Sequence, residues 1–420
     1  MLLRNSFFGI LAYFAFTGLN VFSTRAADAP HPWPPDQFLP LTEARIAALP
    51  EAEQGAWRKY LEVSRRIAKA VPASTVPDFS PDKPLAGPLN GATHAKGLKA
   101  DADPKWYASE EARAQASRVC EWQSAAGGWT KSNDYSILPC PKKDKPDVWS
   151  AGTFDNDATV LEMRFLARVI AAASGNSRFE AWRTSFLRGL QYIFNAQYPN
   201  GGFPQIYPLG GGYHDAITYN DNAMARVLEL LRDIAAGRAE FAFVPAEQRA
   251  EAERRLMLGI DCILKSQIIE PSGHRTAWCQ QHDMLTLKPC AARNFEPIAA
   301  SASESTSLVK LLMGQPSPSK EVTDAINSAV EWFGKVALRD AVWRKHHLEA
   351  LTGAVPLWAR IYEIGTDKPV FGDRDRTVHY DVGELSTERQ TGYAWFGTWP
   401  ATTLQKYKKW HAELAVPAKD

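Results

Sequence analysis

Apolar residues recur at helical spacing through most of the chain. Between residues 158 and 173, Leu161, Phe165 and Val169 follow at four-residue steps with Leu166 and Ile170 beside them, which predicts an amphipathic helix. Phe179, Trp182, Phe186, Leu190 and Phe194 share one face of the next predicted helix, opened by a Ser177–Glu180 capping box. Further helices are predicted over 223–236, 247–267, 301–314 and 321–337. Strand-like alternation is scarce, although "KPVFGDRDRTVHYDV" reads as a hairpin.

The pattern changes toward the N-terminus. Residues 1–26 carry Arg4, an apolar run from Phe7 to Phe22 and small residues around Ala26, the layout of a secretory signal peptide. Residues 27–40 are too rich in proline for helix or sheet. Residues 41–70 predict short polar helices, and a Pro/Gly-rich stretch runs from Pro72 to about residue 100. The expected division is signal peptide over 1–26, proline-rich segment and helical arm over 27–104, and one main catalytic domain over 105–420.

Within that domain the chain repeats. "CEWQSAAGGWTK", "FNAQYPNGGFPQ" and "LKSQIIEPSGHRTAWCQQ" each end a helix with Gln and pass through a glycine-bearing turn to Trp129, Phe203 or Trp278, at intervals of 203 − 129 = 74 and 278 − 203 = 75 residues. A second echo lies 217 − 152 = 65 residues apart, between "GTFDNDAT" and "ITYNDNAM". Helical hairpins that return a polar loop to the same helix end predict an all-α fold, an α/α toroid with little β-structure and its loops gathered on one face.

Composition narrows the chemistry. With 48 basic and 47 acidic residues the net charge is +1, which supplies no field for nucleic acid or an anionic membrane, so any polyanion must be met by local charge. Five cysteines in an exported chain predict disulfides, Cys279 with Cys290 and Cys120 with Cys140, leaving Cys262 buried and free. A monomer is the default expectation.

One helix cap needs one side chain, but Asp155, Asn156, Asp157 and again Asn220, Asp221, Asn222 supply three consecutive Asn/Asp residues. Surplus carboxylates on one rim fit a hard divalent cation, Ca²⁺ above all, with Mg²⁺ or Mn²⁺ as alternatives. The aromatic, glycine-rich turns are candidate sugar-stacking surfaces or, equally, packing. Lys131, Arg293, Arg374, Arg376 and Arg389 are candidate readers of acidic groups. His282, Trp358 and Trp395 read as core residues.

From about Trp106 onward, "GGWTKSNDYS", "TFDNDATVLEMRFLARV", "NGGFPQIYPL", "AARNFEP", "FGDRD" and "ERQTGYAWFGTWP" resemble the pectate lyases of polysaccharide lyase family 10. The resemblance implies calcium-assisted β-elimination on polygalacturonate, with Arg293 as the base. It also implies Asp155 or Asp157 together with Asp221 as metal ligands, and Lys131, Asn156, Arg374 and Arg389 as substrate-binding residues. Phe203 stands where the family has Trp, and Thr130 where it has Pro. An arginine base further implies neighbouring cations that lower its pKa and activity that climbs toward alkaline pH. Two rival readings remain: an inverting toroid glycosidase using Asp157 and Asp221 as acid and base, and a non-catalytic polyuronate-binding protein.

Overall fold

A computed structural model describes residues 29–33, 38–70, 95, 97–136, 151–173 and 178–414. The predicted signal peptide, most of the Pro/Gly-rich stretch, Ser177 and Cys140 lie outside the described residues. Among those residues no helix is long and apolar enough to cross a membrane.

The helices are α1 (Glu43–Ala47), α2 (Glu51–Ala70), α3 (Glu110–Glu121), α4 (Val160–Ala172), α5 (Phe179–Ala196), α6 (Ala223–Ala235), α7 (Ala246–Ser266), α8 (Ser305–Met313), α9 (Lys320–Lys335), α10 (Thr387–Thr391) and α11 (Trp399–Leu414). They form an α/α toroid. α4, α6 and α8 pack side by side as an inner layer; α5, α7 and α9 lie against them outside, and α11 closes on α8 and α9. Inner helices bury more than one side: α6 buries Met224, Val227, Leu228, Leu230, Leu231 and Ile234.

The 74- and 75-residue repeat is the stitching between successive hairpins. Each helix-ending Gln donates from one amide to two backbone carbonyls, one across its own glycine turn and one on the next outer helix. Gln123 reaches Gly127 and Ser185, Gln197 reaches Gly201 and Arg255, and Gln267 reaches Thr276 and Ala325, all at 2.7–3.0 Å. The tryptophans that follow return to the helix just left: Trp129 Nε1 donates to Val119 and Trp278 Nε1 to Ile263, each at 2.7 Å. Trp358 makes a third such bond, to Phe333 at 2.8 Å. These indoles satisfy carbonyls that a helix C-terminus leaves without partners. Gly201 turns at φ +92° with its Cα against α7, where a Cβ would lie 2.0 Å from the Leu258 carbonyl oxygen.

Three expectations need correction. α2 is a single 20-residue helix whose Trp57, Tyr60 and Leu61 are buried. It docks on the toroid through Tyr60 Oη to the Ala196 carbonyl (3.1 Å), so its polar residues lie on one face only. The proline-rich segment does enter a sheet: His31 and Pro32 pair with Val378 and Thr377, an edge position where the missing proline N–H costs nothing. The Cys279–Cys290 disulfide is absent, and Cys120 is also a free thiol. Gln281, not Cys279, stands opposite Cys290, which leaves Cys279 Sγ 3.6 Å from the Cys290 carbonyl oxygen. The capping-box expectation rests on Ser177 and so lies outside the described residues.

Strands are short and confined to the loops. Ile217–Thr218, Gln281–His282 and Pro289–Cys290 form one antiparallel sheet, with Ile217 opposite His282. The hairpin read from residues 368–382 is present, Phe371 pairing with His379. These strands carry the loops to one end of the toroid.

Candidate active site

Neither Asn/Asp cluster caps its helix with a side-chain bond. The N-cap positions are Thr159 for α4 and Asn222 for α6, and neither makes a side-chain cap bond. Instead the clusters share a backbone shape, with left-handed φ at Asn156 (50°) and Asp157 (67°) and again at Asp221 (50°) and Asn222 (63°). Asn156 and Asp221 are thus equivalent positions, 221 − 156 = 65 residues apart. Asn and Asp tolerate this conformation better than other residues with a Cβ, and residues held there mark constrained sites.

The two turns touch, yet they deliver different chemistry. Asp155 is buried and accepts from Lys131 Nζ at 2.7 Å and from Asn156 Nδ2 at 3.3 Å. Asp221 lies beside it, hemmed in so that burial pushes its carboxyl up to about 6; Arg360 opposes that rise, and the charges of Asp155 and Glu304 add to it. Asp157 goes elsewhere. Its carboxylate pairs with Arg226 Nε at the edge of a separate groove of about 630 Å³, lined by Leu161, Arg164 and Arg168 of α4.

Arg293 projects from the loop after Pro289–Cys290 and forks Glu296, through Nε at 2.8 Å and through NH2. Glu296 is 1% exposed and takes a further bond from Tyr393 Oη at 3.0 Å. Burial alone would lower the Arg293 pKa, but the Glu296 charge outweighs it and holds the guanidinium well above its ordinary value. The same pair works in reverse on Glu296, which burial would raise and which Arg293 and Arg360 bring below the usual carboxylate range. The expectation that neighbouring cations lower the Arg293 pKa is therefore overturned by a carboxylate in direct contact.

Arg360 completes the centre. It pairs with Glu304, approaches Asp221 at 3.5 Å and lies over the Tyr393 ring at 4.7 Å. Arg293 lies over the same ring at 5.8 Å, and the Tyr393 hydroxyl bonds Glu296, so Tyr393 joins the two guanidinium–carboxylate pairs. Asp155, Asp221, Glu296 and Glu304 against Lys131, Arg293 and Arg360 leave 4 − 3 = 1 negative charge in excess. Arg374 and Arg389 stand on the far side of Arg293, both bonded to Glu388. Arg376 instead bonds Asn294 (3.3 Å) and lies over Trp33.

This end of a toroid, with facing carboxylates and guanidiniums, suits a polyanionic sugar. The sequence pattern of the pectic acid lyase family matches residues 123–404. The chain belongs to the pectic acid lyase family. A solved structure similar to this lyase is the family 10 polysaccharide lyase from Cellvibrio cellulosa, 32% identical, with a TM-score of 0.66 over 73% of this chain and 95% of that one. Another is a mutant of that enzyme, an aspartate changed to alanine, in complex with trigalacturonic acid; it is 32% identical, with a TM-score of 0.64 over 74% and 98% of the two chains. No curated protein matches the lyase.

The aromatic turns of the lyase are packing and not platforms. Trp129 and Trp278 are fully buried, Phe203 is 1% exposed and meets Phe154 edge-on, and Trp358 and Trp395 are buried. His282 is a core residue, accepting at Nε2 from the Cys279 amide (3.0 Å) with Nδ1 2.8 Å from the Leu287 carbonyl. Glu296, Glu304, Arg360 and Glu388 are not among the residues marked by the sequence, although Glu296 lies inside "AARNFEP" and Glu388 opens "ERQTGYAWFGTWP". A carboxylate three residues after Arg293 was the available signal.

Proposed function

We propose that this pectate lyase is exported and cleaves α-1,4-linked polygalacturonate by β-elimination, with Arg293 as base and Ca²⁺ as cofactor, releasing 4,5-unsaturated oligogalacturonides. What supports the reading is that Asp221 lies 3.5 Å from Arg360, which shares the Tyr393 ring with Arg293 at 4.7 and 5.8 Å, while the turn of Asp155 touches that of Asp221.

The donor set fits a hard cation in an open site. Among the described residues no three metal-ligating side chains enclose an ion unaided, but the excess negative charge and the adjacent Asp155 and Asp221 oxygens suit a cation whose remaining places are filled by uronate and water. When bound, the cation supplies positive charge that makes the C5 hydrogen beside the uronate carboxylate more acidic.

The chain's own residues supply the rest. Glu296 holds Arg293 at Nε and NH2, so a proton lost from this guanidinium leaves from NH1, the one nitrogen that bonds no described residue. The neutral fraction is small because Glu296 disfavours it, but the base so formed is correspondingly strong. Lys131 and Asn156 flank Asp155, where they can meet a uronate oxygen, and Arg374 and Arg389 offer guanidinium edges to further carboxylates.

The glycosidase reading requires Asp157 to face Asp221, and Asp157 is committed to Arg226. Mass analysis of digestion products tests the proposal: elimination gives new ends lighter by one water than hydrolysis, and hydrolytic masses would overturn it. For a non-catalytic binder, no products of either mass would form.

A further inference from the structure

Arg374 and Arg389 reach the site from different elements, the hairpin turn and α10, yet one carboxylate holds both. Glu388 accepts from Arg374 Nε and NH2 at 2.8 and 2.9 Å, from Arg389 Nε at 2.6 Å, and from Arg389 NH2. The elements are locked together beneath them, where Asp373 accepts from the backbone N–H and hydroxyl of Ser386. Gly372 lets the hairpin press on the Arg293 loop, since a Cβ there would lie 2.5 Å from the Phe295 carbonyl oxygen.

Three guanidiniums then gather on one ring. Arg293, Arg374 and Arg389 lie 4.7, 5.4 and 4.2 Å from the Phe295 centroid. Their Nε and NH2 edges are committed to Glu296 or Glu388, and among the described residues no NH1 of the three donates to the protein. Like charges this close repel, and the ring's quadrupole offsets only part of that. Arg389, 5% exposed, has Glu388 as its carboxylate partner, and a buried cation stripped of its partner is costly.

We propose that Glu388 is a positioning residue for substrate: it fixes the spacing of Arg374 and Arg389 so that their free edges take uronate carboxylates next to Arg293. This rests on the reading of those two arginines as uronate receptors. A carboxylate gripped by four N–H donors, with receptor edges left open, is an anchor. A competitor would occupy the edges the substrate needs.

The test compares Glu388→Ala, Glu388→Gln and Glu388→Asp with Arg374→Ala and the double variant Arg374→Ala/Glu388→Gln, on polygalacturonate. Glu388→Ala and Glu388→Gln are expected to raise KM roughly tenfold with kcat within about threefold, the signature of lost substrate orientation and binding. Glu388→Asp should recover part of that loss, and Glu388→Gln should cost less on top of Arg374→Ala than it costs alone, leaving only the release of Arg389. General destabilisation would not produce this split or this non-additivity. Arg374→Ala raising KM while Glu388→Ala and Glu388→Gln leave it unchanged or lower it would overturn the proposal, a fall marking Glu388 as a competitor. Arg374→Ala leaving KM unchanged would overturn the receptor reading and the proposal with it.

Discussion

Arg293 presents Nε and NH2 to the two oxygens of Glu296 and, among the described residues, leaves NH1 without a protein partner. A proton abstractor so held should be replaceable by nothing shorter. Arg293→Ala is expected to lower kcat by about 10²–10⁴-fold with KM changed much less, measured by steady-state kinetics on polygalacturonate.

Glu296 raises the Arg293 pKa, so activity should climb with pH across the neutral and alkaline range as the neutral guanidine becomes populated. Glu296→Gln removes the charge that opposes proton loss. Its pH–kcat profile is expected to move to lower pH by about a unit or more, with a lower plateau because the orienting fork is broken. An unmoved profile would separate Glu296 from the base.

Gln267 satisfies the Thr276 and Ala325 carbonyls in the core. Gln267→Ala removes both bonds and leaves the Thr276 carbonyl without its partner, and the loss is expected to be about 1–3 kcal/mol in denaturant unfolding, with kcat and KM of the folded enzyme unchanged. A loss of activity without loss of stability would contradict this account of the repeat.

Buried carboxyls set the pH dependence of stability. Burial pushes Glu162 from 4.5 to about 7, against the bond from Tyr135 Oη, and Asp215 from 3.8 to about 7, against the Gly210 and Gly211 amides. Their folded pKa values exceed the unfolded ones, so their contribution is full below the unfolded pKa and is lost as pH rises through about 7. The Tm should fall between mildly acid and mildly alkaline buffer, and Glu162→Gln should flatten part of that fall.

The sequence made the architecture readable because its repeat is chemical as well as periodic. Gln123, Gln197 and Gln267 each bind backbone carbonyls, and such partners leave a mark at fixed spacing. What the adjoining aromatics do was not readable, since Trp129 stacked on a sugar and Trp129 bonded to Val119 look alike in one dimension. The choice between Asp155 and Asp157 was equally closed. Two residues apart in a left-handed turn, one faces the cavity and the other Arg226, and only the packing of α4 against α6 decides which. Glu296 and Glu388 went unnoticed because each acts by holding an arginine already marked as functional.

The central claim is a divalent-ion-dependent elimination around Asp155, Asp221 and Arg293. Its most direct measurement is the ultraviolet absorbance of the unsaturated uronate during polygalacturonate digestion, followed through addition of chelator and then of excess Ca²⁺. The absorbance should rise, stop on chelation and resume with Ca²⁺. Reducing ends that accumulate without absorbance, or absorbance that rises unchanged in chelator, would contradict it.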